Sequence, residues 1–116
     1  MIRIPVIAAT ACLGYQAAFA HAFLDHASPA VGSEVTGSPT TLALSYTEPV
    51  EPLFSSVHVT SGFNARVDQG APAATNGGHV LSVQLKPLSP GVYTVEWHVT
   101  SVDTHKTEGR FTFTTR

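Results

Sequence analysis

Apolar and polar residues alternate along several short segments of this chain, and a period of two residues is typical of β-strands that bury one face. The clearest segments are residues 40–46, 80–85, 92–102 and 110–114. Their inward-facing positions carry apolar side chains, among them Leu42, Leu44, Tyr46, Leu81, Val83, Trp97, Phe111 and Phe113. No helical periodicity is present, so the pattern predicts an all-β protein.

Further strands and loops follow from composition. The additional predicted strands are residues 22–29, 54–61 and, more weakly, 64–69. Residues 30–39 and 70–78 are rich in small residues and proline, and we expect the second of these stretches not to pack. Seven short strands with regularly spaced turns favour a β-sandwich or a Greek-key barrel. We expect its core to contain Trp97, Tyr93, Phe111, Phe113, Leu42 and Leu44.

The first twenty residues have the features of an export signal. Arg3 gives a basic start, residues 4–15 are largely apolar, and residues 18–20 fit the small-x-small pattern that precedes a cleavage site. The apolar stretch is shorter than the ~20 residues of a membrane span. We therefore predict a signal peptide over residues 1–20 and one exported, periplasmic domain over residues 21–116.

Cleavage after Ala20 would change the chemistry of the domain. Cys12 and Met1 would leave with the signal, so the mature chain would contain no sulfur. An exported domain without a disulfide must be held by its core or by a bound ligand. His21 would become the first residue, with its α-amine and imidazole nitrogens within chelating reach of each other.

The charge balance excludes some classes of partner. Without Arg3 the chain has five basic and eight acidic residues, a mildly acidic balance. It has no basic patch of the kind that binds nucleic acid and no glycine-rich loop of the kind that binds a nucleotide.

Asp103 and His105 follow the longest predicted strand and are two residues apart. In an extended chain, such residues point to the same face, roughly 7 Å apart along the backbone. With His21 and Glu48 they form a mixed set of nitrogen and oxygen donors. Such a set suits Cu(II) in tetragonal geometry or Zn(II) in tetrahedral geometry, and the lack of sulfur disfavours Cu(I).

The other four histidines give a weaker signal. His58 and His98 alternate with apolar neighbours and should face away from the core. His79 borders a Gly-Gly turn, and we expect all three to be exposed surface residues. His26 is five residues from the predicted new N-terminus and could flank a site there.

The chain resembles the CopC family of periplasmic copper-binding proteins over essentially all of residues 21–116. The residues that carry the resemblance are His21-Ala22 after the cleavage site, Ser28-Pro29-Ala30, Gly32-Ser33, Leu44-Ser45-Tyr46-Thr47-Glu48-Pro49, Gly91-Val92-Tyr93-Thr94-Val95-Glu96-Trp97 and Ser101-Val102-Asp103-Thr104-His105. The resemblance implies a cupredoxin-like, immunoglobulin-type Greek-key β-sandwich of about seven strands.

The resemblance also implies a ligand set. One Cu(II) per chain would be bound by the amine and imidazole of His21 together with Asp103 and His105. Glu48 stands where the family often has a further carboxylate, and Glu51 is a nearby alternative. Better-known members carry a methionine-rich loop that binds Cu(I), whereas residues 63–78 contain no methionine, so the chain resembles the Cu(II)-only branch of the family.

Two functions remain open from the sequence. The leading hypothesis is a periplasmic Cu(II) carrier or buffer in copper homeostasis and resistance, which can deliver copper to a CopD-like membrane importer. The alternative is a copper-dependent oxidative enzyme, since some polysaccharide oxygenases also chelate copper through an N-terminal histidine. Two carboxylates beside the metal and the lack of a broad aromatic platform favour the binding protein.

Overall fold

The computed structural model describes residues 21–116, so the predicted signal peptide lies outside the described residues. Eight strands follow one another: β1 (Leu24–Ser28), β2 (Glu34–Val35), β3 (Thr41–Tyr46), β4 (Ser56–Ser61), β5 (Asp68–Thr75), β6 (Val80–Leu85), β7 (Gly91–Thr100) and β8 (Lys106–Thr115). The helical segments of this part of the chain are single 3-10 turns at Pro52–Phe54 and Asn76–Gly78. Neither is long enough to cross a membrane.

The strands form two four-stranded sheets, with the orders β1-β3-β6-β5 and β2-β8-β7-β4. Neighbouring strands are antiparallel, except for the parallel pair of β2 and β8. The apolar faces of the two sheets meet in one core, which confirms the predicted all-β sandwich. The number of strands is eight rather than about seven, because the two-residue β2 adds a short edge beside the end of β8.

The core is made of the residues that alternation placed inward. The six expected core residues are all buried, and Leu42 and Phe113 have no exposed surface. The Trp97 ring meets Tyr46 edge-on at 5.3 Å between ring centroids. Gly109 lies opposite Trp97 on the neighbouring strand β8, and a Cβ atom at this position would lie only 2.5 Å from Cζ2 of Trp97. A side chain at residue 109 would therefore displace the indole.

The region of β5 differs from the prediction. Residues 70–78 were expected to form an unpacked loop, but β5 covers Asp68–Thr75 and pairs with β6 along a register shifted between Gln69 and Ala73. Main-chain hydrogen bonds to a neighbouring strand do not need large side chains. An edge strand can therefore form from Gly, Ala and Pro, which side-chain patterning cannot detect.

The β7–β8 hairpin is the longest pairing in the molecule. Its register runs from Gly91 opposite Thr115 to Thr100 opposite Lys106. β8 therefore begins four residues before the alternating segment that predicted it, and β7 ends two residues before the predicted bound. Only five residues remain to reverse the chain, and they include Asp103 and His105.

Asp68 joins the start of β5 to β4 of the other sheet. Its Oδ1 atom accepts hydrogen bonds from the Val59 N–H at 2.8 Å and the Arg66 Nε at 2.8 Å, and its Oδ2 accepts one from Arg66 Nη2 at 2.7 Å. Burial disfavours the charged form of Asp68, but the Arg66 and Val59 donors outweigh it and lower the pKa of Asp68 to about 2. The carboxylate is thus fixed as a charged structural link.

Candidate metal centre

A five-residue turn, Ser101 to His105, joins β7 to β8 at one end of the sandwich. The Ser101 N–H donates to the His105 carbonyl at 2.8 Å, and the Thr104 N–H donates to the Ser101 carbonyl at 2.8 Å. Thr104 has a φ of 71°, in the left-handed region. Asp103 and His105 are therefore not on one face of an extended strand, and that part of the prediction is wrong because the hairpin must reverse direction here.

The first described residues are tied to the start of β8 and the end of β3. Ala22 is 1% exposed, and its carbonyl accepts a hydrogen bond from Thr107 Oγ1 at 2.6 Å. Phe23 and Thr47 exchange two hydrogen bonds, from the Phe23 N–H to Thr47 Oγ1 at 3.0 Å and from the Thr47 N–H to the Phe23 carbonyl at 2.9 Å. These contacts fix the backbone immediately after His21.

The segment that follows β3 brings Glu48 to the same end of the sandwich. The Val102 N–H donates to the Pro49 carbonyl at 3.1 Å, and Val50 forms an isolated bridge with Ser101. Glu48 is therefore one residue from a segment bonded to the turn and one residue from Thr47. Three stretches that are distant in sequence thus meet through main-chain hydrogen bonds.

The two predicted histidine ligands are in contact. The ring centroids of His21 and His105 are 5.2 Å apart with an interplanar angle of 89°, and Phe23 lies 5.8 Å from His21 on a second side. Both imidazoles are exposed. A pair of accessible imidazoles at this separation can present two nitrogens to one borderline metal ion.

The carboxylates of Glu48 and Asp103 are carried by backbone segments that meet at this end of the sandwich, but they do not complete a cluster with the imidazoles. Among residues 21–116, no three side chains of His, Cys, Asp or Glu converge closely enough to hold a metal ion. Asp103 is exposed and Glu48 is half-buried. The structure therefore brings together the imidazole pair and the backbones that carry the carboxylates.

The remaining histidines mostly lie where the pattern put them. His58 and His98 are exposed on the outer face of their sheet, as predicted. His79 is half-buried rather than exposed. Its carbonyl accepts a hydrogen bond from the Tyr46 N–H at 2.7 Å, which holds the residue against the end of β3. His26 is exposed and contacts Asp25 at 3.0 Å between Nδ1 and Oδ2.

Glu51, the alternative carboxylate, is held by its backbone. Its N–H donates to the Thr100 carbonyl at 2.9 Å, and its carbonyl accepts from Ser55 Oγ at 2.7 Å. These contacts fix the start of the 3-10 turn at Pro52–Phe54, whereas Glu48 directly follows the residue that anchors Phe23.

Sequence reasoning missed the residues that position the site. Thr47 and Thr107 supply the hydroxyl groups that hold the backbone of residues 22 and 23. Threonine is also common at exposed positions of β proteins, so its positioning role becomes visible only once its hydrogen-bond partner, which is distant in sequence, is known. Tyr46 is buried below this region, and burial raises the pKa of its phenol well above the usual range, which keeps it neutral.

Comparison with other proteins identifies a family for the chain. A model of the CopC domain matches residues 24–116. Protein YobA of Escherichia coli (strain K12) is 38% identical over 118 residues, which cover 99% of this chain and 94% of that protein. Copper resistance protein C of Xanthomonas campestris pv. juglandis is 32% identical over 122 residues, which cover 99% of this chain and 95% of that protein.

A solved structure supports the same assignment. The crystal structure of CopC from Methylosinus trichosporium OB3b superimposes with a TM-score of 0.76 at 30% sequence identity. The match covers 82% of this chain and 93% of that one. Sequence and fold therefore agree over nearly the whole described domain.

Proposed function

The chain belongs to the CopC family, whose members handle copper, and on that premise we propose that it binds one Cu(II) ion at the end of the sandwich. The ligands are His21, Asp103 and His105, with Glu48 beside the metal. The observation that carries this proposal is the contact between the His21 and His105 rings, at 5.2 Å between centroids. These residues are far apart in the sequence, and hydrogen bonds among residues 22–23, 47–49 and 101–107 bring their backbones together.

The donor chemistry favours Cu(II) over other states of copper. Imidazole, amine and carboxylate groups suit Cu(II), which stands at the top of the divalent affinity order, whereas Cu(I) prefers thiolate and thioether ligands. Residues 21–116 contain neither cysteine nor methionine. The exposed carboxylate of Asp103 can move onto a cation at little cost, because the backbone of its turn is already fixed.

We propose that the protein is a periplasmic carrier or buffer and not an enzyme. Export requires that residues 1–20 act as a signal peptide, so that His21 becomes the first residue of a domain over residues 21–116. An exposed site at one end of a rigid sandwich suits transfer of copper to a second protein, and a CopD-like membrane importer is the partner that the family resemblance favours. Two carboxylates at the metal would occupy the positions that an oxidative enzyme keeps open.

The test adds one residue ahead of His21, so that its α-amine becomes part of a peptide bond. Protein that starts at His21 is compared with protein that carries one glycine ahead of it, by competition with a Cu(II) chelator at equal pH. The extension keeps every side chain but moves the free amine away from the imidazole, and an amide nitrogen is no comparable ligand. We expect the affinity to fall by more than the ~10- to 100-fold that loss of a supporting residue costs at a metal site.

The control is the same extension in a His105→Ala background. If both changes act on one site, the glycine should cost much less there than in the parent protein. The thermal unfolding of the two metal-free proteins should match, since Ala22 and Phe23 keep their partners. Equal Cu(II) affinity with and without the glycine would refute the amine chelate.

A further inference from the structure

The outer face of the β2-β8-β7-β4 sheet carries a second pair of side chains that can bind a metal ion, on residues outside the site proposed above. His98 on β7 lies directly opposite Glu108 on β8 in the strand register. The His98 Nε2 and Glu108 Oε1 atoms are 3.3 Å apart. Both side chains are open to solvent, with exposures of 54% and 74%.

This separation matches the spacing of two ligands of one metal ion. Zinc–nitrogen and zinc–oxygen bonds are about 2.0–2.2 Å long, so two such ligands at a tetrahedral angle lie roughly 3.3 Å apart. Directly opposed residues on neighbouring strands are also held at a fixed distance by the sheet, with β-carbons about 4.5–5.5 Å apart. The pair therefore needs little rearrangement to bind a cation.

The surroundings of His98 and Glu108 leave the pair accessible and limit its affinity for a cation. Glu96 lies 3.4 Å from Arg110 and so offsets the nearest guanidinium charge. His98 and Glu108 border a shallow concavity of about 250 Å³. Lys106 is two residues from Glu108 on the same face of β8, and its ammonium opposes the approach of a cation.

We propose that His98 and Glu108 form a second, weaker site for a borderline divalent cation, Zn(II) or Cu(II). Imidazole and carboxylate are shared ligands of these two ions, and water completes the coordination. The site uses none of His21, Glu48, Asp103 and His105, so it is independent of the proposed function. It would bind metal ions in excess of the first equivalent.

The experiment removes the first site and measures what remains. A His21→Ala/His105→Ala variant is titrated with ZnCl2 and separately with CuCl2 by calorimetry. His98→Ala and Glu108→Gln are then added one at a time. We expect one residual metal equivalent, with an affinity that falls at least ~10-fold with either change, because each removes one of only two protein ligands.

His58→Ala is the matched control. His58 is an exposed histidine on the same face, but it lies on β4 opposite Glu96, on the side of β7 away from Glu108. Its replacement should leave the residual affinity unchanged. The proposal is overturned if the double variant binds neither metal at millimolar concentration, or if His58→Ala and His98→Ala reduce the affinity equally. These outcomes do not depend on whether the first site holds copper, since that site has been removed.

Discussion

Two carboxylates in this molecule have opposite surroundings. Asp68 accepts three hydrogen bonds, one from the Val59 N–H and two from Nε and Nη2 of Arg66, and its pKa is lowered to about 2. Asp103 lies exposed on the β7–β8 turn, and its side chain has no hydrogen bond or ion pair within residues 21–116. One acid has three hydrogen-bond donors on its carboxylate, and the other has none within the described residues.

The difference separates a structural carboxylate from a proposed ligand. A carboxylate that already accepts several hydrogen bonds stabilises the fold and gains little from a metal ion, which would first have to displace those donors. A carboxylate without partners adds little to the stability of the metal-free fold. At the turn, the backbone rather than the side chain holds the structure, so the side chain is free to bind.

Bound copper should stabilise the end of the sandwich that carries Asp103, as hydrogen bonds stabilise the surroundings of Asp68. This is the largest expected effect. A free Cu(II) concentration a thousand times the dissociation constant adds about 4 kcal/mol to the free energy of unfolding if only the native state binds. Thermal unfolding of protein starting at His21, with and without Cu(II), measures it. His105→Ala should lose most of the gain. A melting temperature unmoved by stoichiometric Cu(II) would contradict a native-state site.

The next effect concerns the imidazole pair. His105→Ala should lower Cu(II) affinity by more than ~100-fold, because it removes a direct ligand, where even supporting residues cost 10- to 100-fold. His58→Ala should leave the first equivalent unchanged, since His58 is on the outer face of the sheet. Chelator competition measures both variants. Equal losses would show that the pairing of His21 with His105 does not define the site.

Asp68→Asn should act on stability alone. The pKa of Asp68 is about 2 in the fold against an ordinary value of 3.8, so its charged form stabilises the native state above pH 3.8 by about 2 kcal/mol. This contribution is lost as the pH falls from 3.8 through about 2. Urea unfolding at pH 7 and at pH 2 should show a deficit in the variant only at pH 7.

The matched change at the other carboxylate completes that test. Asp103→Asn should leave the unfolding of metal-free protein nearly unchanged at both pH values and should weaken Cu(II) binding. If Asp68→Asn weakened copper binding instead, or if Asp103→Asn unfolded the protein, the division between structural and ligand carboxylates would fail.

The smallest expected effect tests the anchor of the first residues. Thr107→Val removes the hydroxyl that donates to the Ala22 carbonyl, so it should cost about 1 kcal/mol of stability and a small part of the Cu(II) affinity. Thr107→Ser keeps the donor and should restore both. If Thr107→Ser weakened Cu(II) binding as much as Thr107→Val does, the methyl group of Thr107, and not its hydrogen bond, would position His21.

Alternation predicted the part of the fold that hydrophobic burial determines. Leu42, Leu44, Trp97, Phe111 and Phe113 were expected in the core and are buried there. β5 was predicted only as a weak strand over residues 64–69 and overlaps that range at two residues, because its pairing with β6 depends on the main chain, and Gly, Ala and Pro leave no apolar period. Side-chain patterns report burial, and they do not report the hydrogen bonds of an edge strand.

The candidate site was proposed from residue types, and the local geometry expected for it was wrong. Asp103 and His105 were expected to share a strand face, but they lie on a turn whose shape depends on Ser101 and on the long register of the β7–β8 hairpin. Such contacts are set by distant pairing and cannot be read from a five-residue window. The approach of His21 depends on Thr47 and Thr107, which gave no signal in the sequence.

The main-chain bonding of the Ser101–His105 turn has a consequence for how the family can diversify. The Pro49 carbonyl, the Ser101 N–H and the His105 carbonyl hold the turn without using any candidate ligand side chain. Substitutions that exchange the donor atoms at residues 103 and 105 should therefore cost little fold stability. Metal preference at this end of the sandwich can drift from lineage to lineage while the scaffold stays the same.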